Sequence, residues 1–179
     1  MKKLCIILPL ALILCFMVSC QDKAAMAELE AMKAQAEIEE QNKELVVRMY
    51  EEIDKQNFDF PIELGAPEFR IYGAGSFEPM KKEALKPMFH MRYGAFQDYI
   101  HTIEDVIAKG DKVAARITYS GTHKEEFMGI PPTGNTFKYA GIHMWQFKEG
   151  KIVEGWFLED KLYLMQQLGM ELKPKEGEK

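Results

Sequence analysis

The stretch GIHMWQFKEGKIVEGWFLED, Gly141 to Asp160, carries a histidine, two tryptophans and a closing aspartate on what reads as two strands joined by a tight turn. A histidine facing a carboxylate in a dry pocket is an acid–base pair. Desolvation raises the carboxyl pKa toward neutrality, which suits removal of a proton next to a carbonyl. Asp160 is the candidate base and His143 its candidate partner. Asp160 has a second reading. Directly ahead of KLYLMQQL, it is placed to cap that helix by accepting backbone N–H bonds, worth about 1 kcal/mol.

Which residue faces Asp160 depends on the turn. Side chains alternate along a strand, so Trp156, Leu158 and Asp160 share a face. A two-residue turn at Glu149-Gly150 pairs His143 with Trp156 and brings His143 to that face, but demands positive φ at Glu149. A three-residue loop, Lys148-Glu149-Gly150 with Gly150 left-handed, avoids the strain and slips the register by one. Met144 and Gln146 then share the face of Asp160, with His143, Trp145 and Phe147 on the other. Local chemistry favours the second arrangement, so Gln146 stands beside His143 as a candidate.

Further residues are candidates for a cavity wall: Met49, Tyr72, Trp145 and Trp156. His123 ends a strand on the side of Ile117 and Tyr119, either as a donor at a cavity mouth or bonded to the 124–135 loop. His90 and His101 have no assignable partner. With four histidines in all and neither HxxxH nor HExxH spacing, no metal site is expected. No serine or cysteine nucleophile arrangement and no phosphate-cradling loop is present, and no cofactor is expected.

The elements that must position these residues begin near Glu44, where Leu45, Val46, Met49, Tyr50 and Ile53 give the face of an amphipathic helix. A short strand, Phe69–Tyr72, precedes a helix over about 81–96, which Pro87 should kink or split. Strands 99–108 and 112–123 meet at a Gly110-Asp111 turn. Strands 136–147 and 151–160 follow, then a helix ending at Gly169, a C-cap. Helices first and antiparallel strands after predict an α+β fold, a curved sheet packed on the early helices around a cavity.

Ahead of this domain, Lys2 and Lys3 precede the apolar run Leu4–Val18 and then Ser19-Cys20. The run is too short for a comfortable membrane span and reads as a secretory signal over 1–19. Its end, Met17-Val18-Ser19-Cys20, resembles the lipobox of bacterial lipoproteins, which implies lipidation of Cys20 after cleavage and a place in the cell envelope. Acyl chains at about 0.8 kcal/mol per buried CH₂ would hold the chain on a membrane. Residues 20–43 read as a helical spacer, 44–170 as the domain and 171–179 as a disordered tail. The net charge is −5, and losing the two lysines of the signal makes it about −7. An acidic balance without a basic stripe excludes nucleic acid as a partner.

GTHKEEFMGIPPTGNTF, followed by GIHMWQF, EGKIVEGW and a final acid, resembles the SnoaL-like polyketide and ester cyclases from about Glu44 to Met170. The resemblance implies the cone-shaped α+β barrel of the nuclear transport factor 2-like superfamily. It also implies an intramolecular aldol closure without metal or cofactor, run by a carboxylate at the end of the last strand, here Asp160. A histidine on the preceding strand assists in such enzymes; an ungapped reading puts Gln146 there. The Phe69–Tyr72 strand carries Ile71-Tyr72 where relatives often have a histidine. The expected partners are a small apolar or carbonyl-containing ligand, the membrane through Cys20, and a second copy through the sheet face. An enzyme and a non-catalytic binding lipoprotein both fit.

Overall fold

The structure, a computed structural model, describes residues 4–74, 76 and 78–173, with the backbone alone for residues 4–22. The signal expected over 1–19, the lipid site at Cys20 and the tail beyond 173 lie outside the described side chains. Helix α1, Leu4–Asp54, runs unbroken through the expected spacer into the domain. The chain divides into two units between Ile38 and Glu39. In the first, every side chain from 23 to 38 is exposed. Among the described residues no helix is long and apolar enough to cross a membrane.

In the second unit, the last turns of α1 bury Val46, Met49, Tyr50 and Ile53, the helical-period face read from the sequence. A short helix α2, Asp59–Leu64, follows, then strands β1, Gly65–Gly73, and β2, Met80–Lys81. A 3₁₀ turn at Lys82–Ala84 leads into α3, Leu85–Ala95. Pro87 is the third residue of α3, where a backbone N–H has no intrahelical acceptor in any case. Its missing N–H therefore costs little there, and the helix is divided ahead of the proline. Strands β3, Phe96–Lys109, β4, Lys112–His123, β5, Thr136–Lys148, and β6, Lys151–Glu159, precede the closing helix α4, Lys161–Gln167.

The fold is α+β, with one six-stranded sheet in the order β2-β1-β6-β5-β4-β3. It is mixed rather than wholly antiparallel, because β1 runs parallel to β6. Alternation along β4 and β5 turns Val113, Ala115, Ile117 and Tyr119, with Tyr139, His143, Trp145 and Phe147, into the core beneath the helices.

The β5–β6 hairpin settles its register in an unexpected way. Lys148 pairs with Lys151, so the turn is the two-residue Glu149-Gly150, with φ of +52° and +73°. That is the strained turn which local chemistry disfavours. One step on, Gln146 pairs with Glu154 while Phe147 pairs with Ile152, leaving Val153 as a bulge. The extra residue shifts the register back by one. His143 therefore pairs with Phe157 and Trp145 with Gly155, which puts His143 and Trp145 on the same face of the sheet as a three-residue loop would, with partners two positions further along β6.

Candidate active site

Two glycines make room for the inner face. A Cβ on Gly155 would lie 2.6 Å from Trp145 Cζ3, and one on Gly141 3.0 Å from Tyr119 Cε2. The indole of Trp145 lies in the first gap, edge-on to Phe157 at 4.7 Å. Tyr119 stacks on Tyr139 at 4.7 Å beside the second. Opposite Gly141 is Glu159, the last residue of β6, whose side chain is 4 % exposed.

Glu159 Oε2 accepts from Arg92 Nη2 of α3 at 2.8 Å, and Oε1 lies 3.5 Å from His143 Nε2. Arg92 Nη1 also donates to Tyr99 Oη at 3.0 Å. Burial alone would raise the Glu159 pKa. The Arg92 guanidinium and the His143 contact outweigh it and hold the carboxyl well below the usual range. Such a carboxylate is a weak base; it fixes the guanidinium. His143 lies between two phenols, with Nδ1 2.6 Å from Tyr50 Oη and Nε2 2.8 Å from Tyr119 Oη. Burial lowers its pKa against the opposing pull of Glu159, so the ring is neutral at pH 7. One of its nitrogens donates and the other accepts. Burial likewise lifts the Tyr50 and Tyr119 phenols well above their ordinary range.

A second cluster adjoins the first. His101 Nδ1 lies 2.5 Å from Asp54 Oδ1 at the end of α1. Tyr93 Oη donates to the same oxygen at 2.7 Å, and the His101 backbone N–H to Oδ2 at 3.1 Å.

Between these clusters is a largely apolar cavity of about 40 Å³, room for roughly three or four waters at about 10–15 Å³ each. Met49, Phe69, Trp145 and Ile152 line it, with Tyr50, His101, His143 and Glu159 as its polar points. Ile71, Met88, Arg92, Phe157 and Glu159 also border a more open groove of about 230 Å³. These residues form the partition between cavity and groove. Trp145 Nε1–H is buried without a hydrogen-bond acceptor, although it is near enough to the Tyr50 hydroxyl to offset part of the burial effect there.

Of the residues expected at the site, the cavity brings together Met49, His143 and Trp145. The others lie elsewhere. Asp160 has left the strand, is exposed, and accepts from Tyr163 N at 3.0 Å as the N-cap of α4. Gln146 donates to Asp111 Oδ2 at 2.6 Å at the surface, because its side of β5 is the outer one. Tyr72 and Trp156 stack at 6.2 Å on that same outer face, in a shallow depression with Ile142 and Leu158. His123 is fully buried, but against Phe96, with Nδ1 3.1 Å from Thr133 Oγ1. Among the described residues no group of histidine, cysteine and acidic side chains has metal-holding geometry.

Sequence reasoning passed over Glu159, Arg92 and Asp54, and assigned His101 no partner. One signal was available for Glu159: in the favoured register it alternates with Gly155 and Phe157 on the face of His143. Arg92, three residues after Phe89 on the buried side of α3, had the same kind of signal.

A sheet covered by helices on one face, closed over a cavity where aromatic walls meet a few bonded acids and bases, defines the nuclear transport factor 2-like class. Within it, the profile of the SnoaL-like polyketide cyclases matches residues 44–168, and the chain belongs to that family. Solved structures agree. IdmH of Streptomyces antibioticus, provisionally described as a polyketide cyclase, is 31% identical with a TM-score of 0.64, covering 72% of this chain and 99% of its own. AclR of Streptomyces galilaeus, provisionally described as a hydroxylase, is 27% identical with a TM-score of 0.67, covering 75% and 97%. A SnoaL-like protein of Jannaschia sp. CCS1, 23% identical with a TM-score of 0.68 over 75% and 96%, shares the fold. No curated protein sequence matches this one.

Proposed function

We propose that this SnoaL-like domain is exported, anchored in the cell envelope through a lipid on Cys20, and holds a small, mainly apolar, carbonyl-containing ligand on which it performs cofactor-independent acid–base chemistry. One observation carries the ligand class. Trp145 Nε1–H is buried in an apolar cavity with the Tyr50 hydroxyl near by but no acceptor at hydrogen-bond geometry, and such a group costs about 1–3 kcal/mol. A carbonyl oxygen would recover that cost. The cavity is narrow, and Met49 and Met88 on its wall are unbranched side chains that repack readily to admit a ligand.

The test compares cyclopentanone with methylenecyclopentane, matched in shape and differing in the acceptor. The indole N–H resonance of Trp145 is followed by NMR in the full chain in detergent. Saturable movement with the ketone and none with the alkene is expected. Equal movement with both, or none with either, would sink the assignment. For the anchor, Cys20→Ser should move the chain from the membrane to the soluble fraction.

The cavity fits a carrier that binds without turnover as well as an enzyme, and proton exchange on the bound ketone separates the two. Self-association through the sheet is favoured by Ile142 and Leu158, 53 % and 64 % exposed on the outer face. Sedimentation of Leu158→Lys against the parent chain tests it.

A further inference from the structure

Besides Arg92 and Tyr99, which are bonded to each other, five polar side chains line the cavity as possible proton acceptors or donors, and their bonding sorts them. Glu159 is held by Arg92. His143 has a tyrosine on each ring nitrogen, and Tyr50 and Tyr119 are those partners. His101 differs. Its Nδ1 is turned to Asp54, and Nε2 has no hydrogen-bond partner among the described residues, on a ring that lines the cavity.

We infer that His101 is the catalytic base of this cavity and that Asp54 positions it. A carboxylate accepting at Nδ1 keeps the proton on that nitrogen and leaves Nε2 as the acceptor. It also stabilises the imidazolium once Nε2 has taken a proton, the logic of a histidine backed by an aspartate. The placing of Asp54 is otherwise adverse. It ends α1, where the helix dipole disfavours a negative charge by about 0.3–1 kcal/mol. Bonds from the Tyr93 hydroxyl, the His101 ring and the His101 backbone N–H offset that cost and fix the carboxylate. Rings of Tyr50, Tyr99 and Tyr119, with centroids 5.1–5.2 Å away, wall the imidazole in.

In the step assigned to it, Nε2 takes a proton from the carbon beside the ligand carbonyl. The C–H electron pair becomes the carbon–carbon double bond of an enolate, and the carbonyl π pair moves onto oxygen. Trp145 Nε1–H is the donor for that oxygen. Return of a proton from Nε2 to carbon restores the ketone, so in D₂O the net change is exchange of hydrogen for deuterium. No oxidant or second reactant is needed.

This inference rests on the carbonyl-ligand reading, and its test separates the two. Cyclopentanone is incubated with the full chain in D₂O, and loss of its α-proton signal is timed by NMR. The parent chain should accelerate exchange over buffer, and His101→Gln should lose about 10²-fold or more of that acceleration, the usual weight of a general base. Exchange that survives in His101→Gln, or that vanishes in Asp160→Asn instead, overturns the assignment of His101 while leaving the ligand reading intact. No exchange in the parent overturns both the base and the catalytic part of the proposed function. A measurement without any variant decides the geometry: the ¹⁵N shifts of His101 should show a proton on Nδ1 and a bare Nε2. In Asp54→Asn, which offers a donor to the ring or its backbone, that tautomer should lose its dominance as exchange slows. A proton on Nε2 in the parent chain rules out the base.

Discussion

The two faces of the β5–β6 hairpin both carry aromatic residues and differ in what covers them. On the inner face, helices α1 and α3 close over His143, Trp145 and Glu159, each less than a tenth exposed. There, Glu159 and both nitrogens of His143 are bonded, and Trp145 is the exception. On the outer face, Tyr72 and Trp156 stack half-buried beside the exposed Ile142 and Leu158. The difference teaches how to recognise a site in this fold. A polar group under cover must find a partner or carry a cost, so the inner face is a network in which an unmatched group stands out. Glu159 and Asp160 show the contrast one residue apart: the first is the buried partner of Arg92 and the second an exposed cap.

The largest expected effect separates those two acids. Glu159→Ala leaves the Arg92 guanidinium buried and unpaired, and breaking a buried pair from one side costs about 3–5 kcal/mol. Asp160→Ala removes one cap bond at the surface, for about 1 kcal/mol. Urea denaturation of both variants checks the ordering. If Asp160→Ala proves the more damaging, the division into faces is wrong.

Acid should act on the inner face in two stages. The folded His143 pKa lies below its ordinary 6.5 because of burial. The unfolded chain therefore binds a proton that the folded chain resists. The contribution of His143 is fully present above about pH 6.5 and declines as pH falls below it. The folded Glu159 pKa is depressed as well, so its contribution is present above about pH 4.3 and is lost on further acidification. Urea midpoints against pH should fall in both windows in the parent chain. His143→Gln should flatten the first window and keep the second; an unchanged slope near neutrality would show that His143 is not the group responsible.

Gly155→Ala tests the packing behind Trp145. The added Cβ would meet the indole at 2.6 Å, an overpacking cost of about 1–3 kcal/mol. Glu154→Ala, one residue away and on the outer face, should stay within about 0.5 kcal/mol. A Gly155→Ala chain as stable as the parent, with unchanged Trp145 emission, would mean that the indole is free to move.

The order of elements was legible because it rests on local signals that the tertiary structure does not override. These are the apolar stripe of Val46, Met49, Tyr50 and Ile53, the Gly110-Asp111 turn, and Gly169, whose φ is +95°. The site was less legible for two physical reasons. The bulge at Val153 has no signature of its own, and together with the strained turn it produces the facing of an unstrained loop, so a right facing was reached through a wrong turn. The other reason is long range. Asp54 and His101 are 47 positions apart, and Arg92 and Glu159 are 67. No periodicity links them; only closure of helices over the sheet does. The pull of Asp160 followed from the same gap, since a carboxylate after a strand and before a helix looks alike as a base and as a cap until burial is known.

The smallest expected effect concerns what holds the two faces apart. Glu149 has a φ of +52°, a conformation that costs a residue with a β-carbon about 1–2 kcal/mol. Asparagine tolerates it and is the favoured partner of a following glycine in this turn. If the facing of His143 and Trp145 is set by the turn, easing it could let the strands slip. Packing argues otherwise, because a slip by one residue would remove Gly155 from beneath the Trp145 ring and bring a side chain into a 2.6 Å gap. Glu149→Asn should therefore stabilise the chain by about 0.5–1 kcal/mol with no change in Trp145 emission or in the indole N–H resonance. A shift in that resonance, or a loss of stability, would mean that the strained turn rather than the Trp145–Gly155 contact fixes which residues face the cavity.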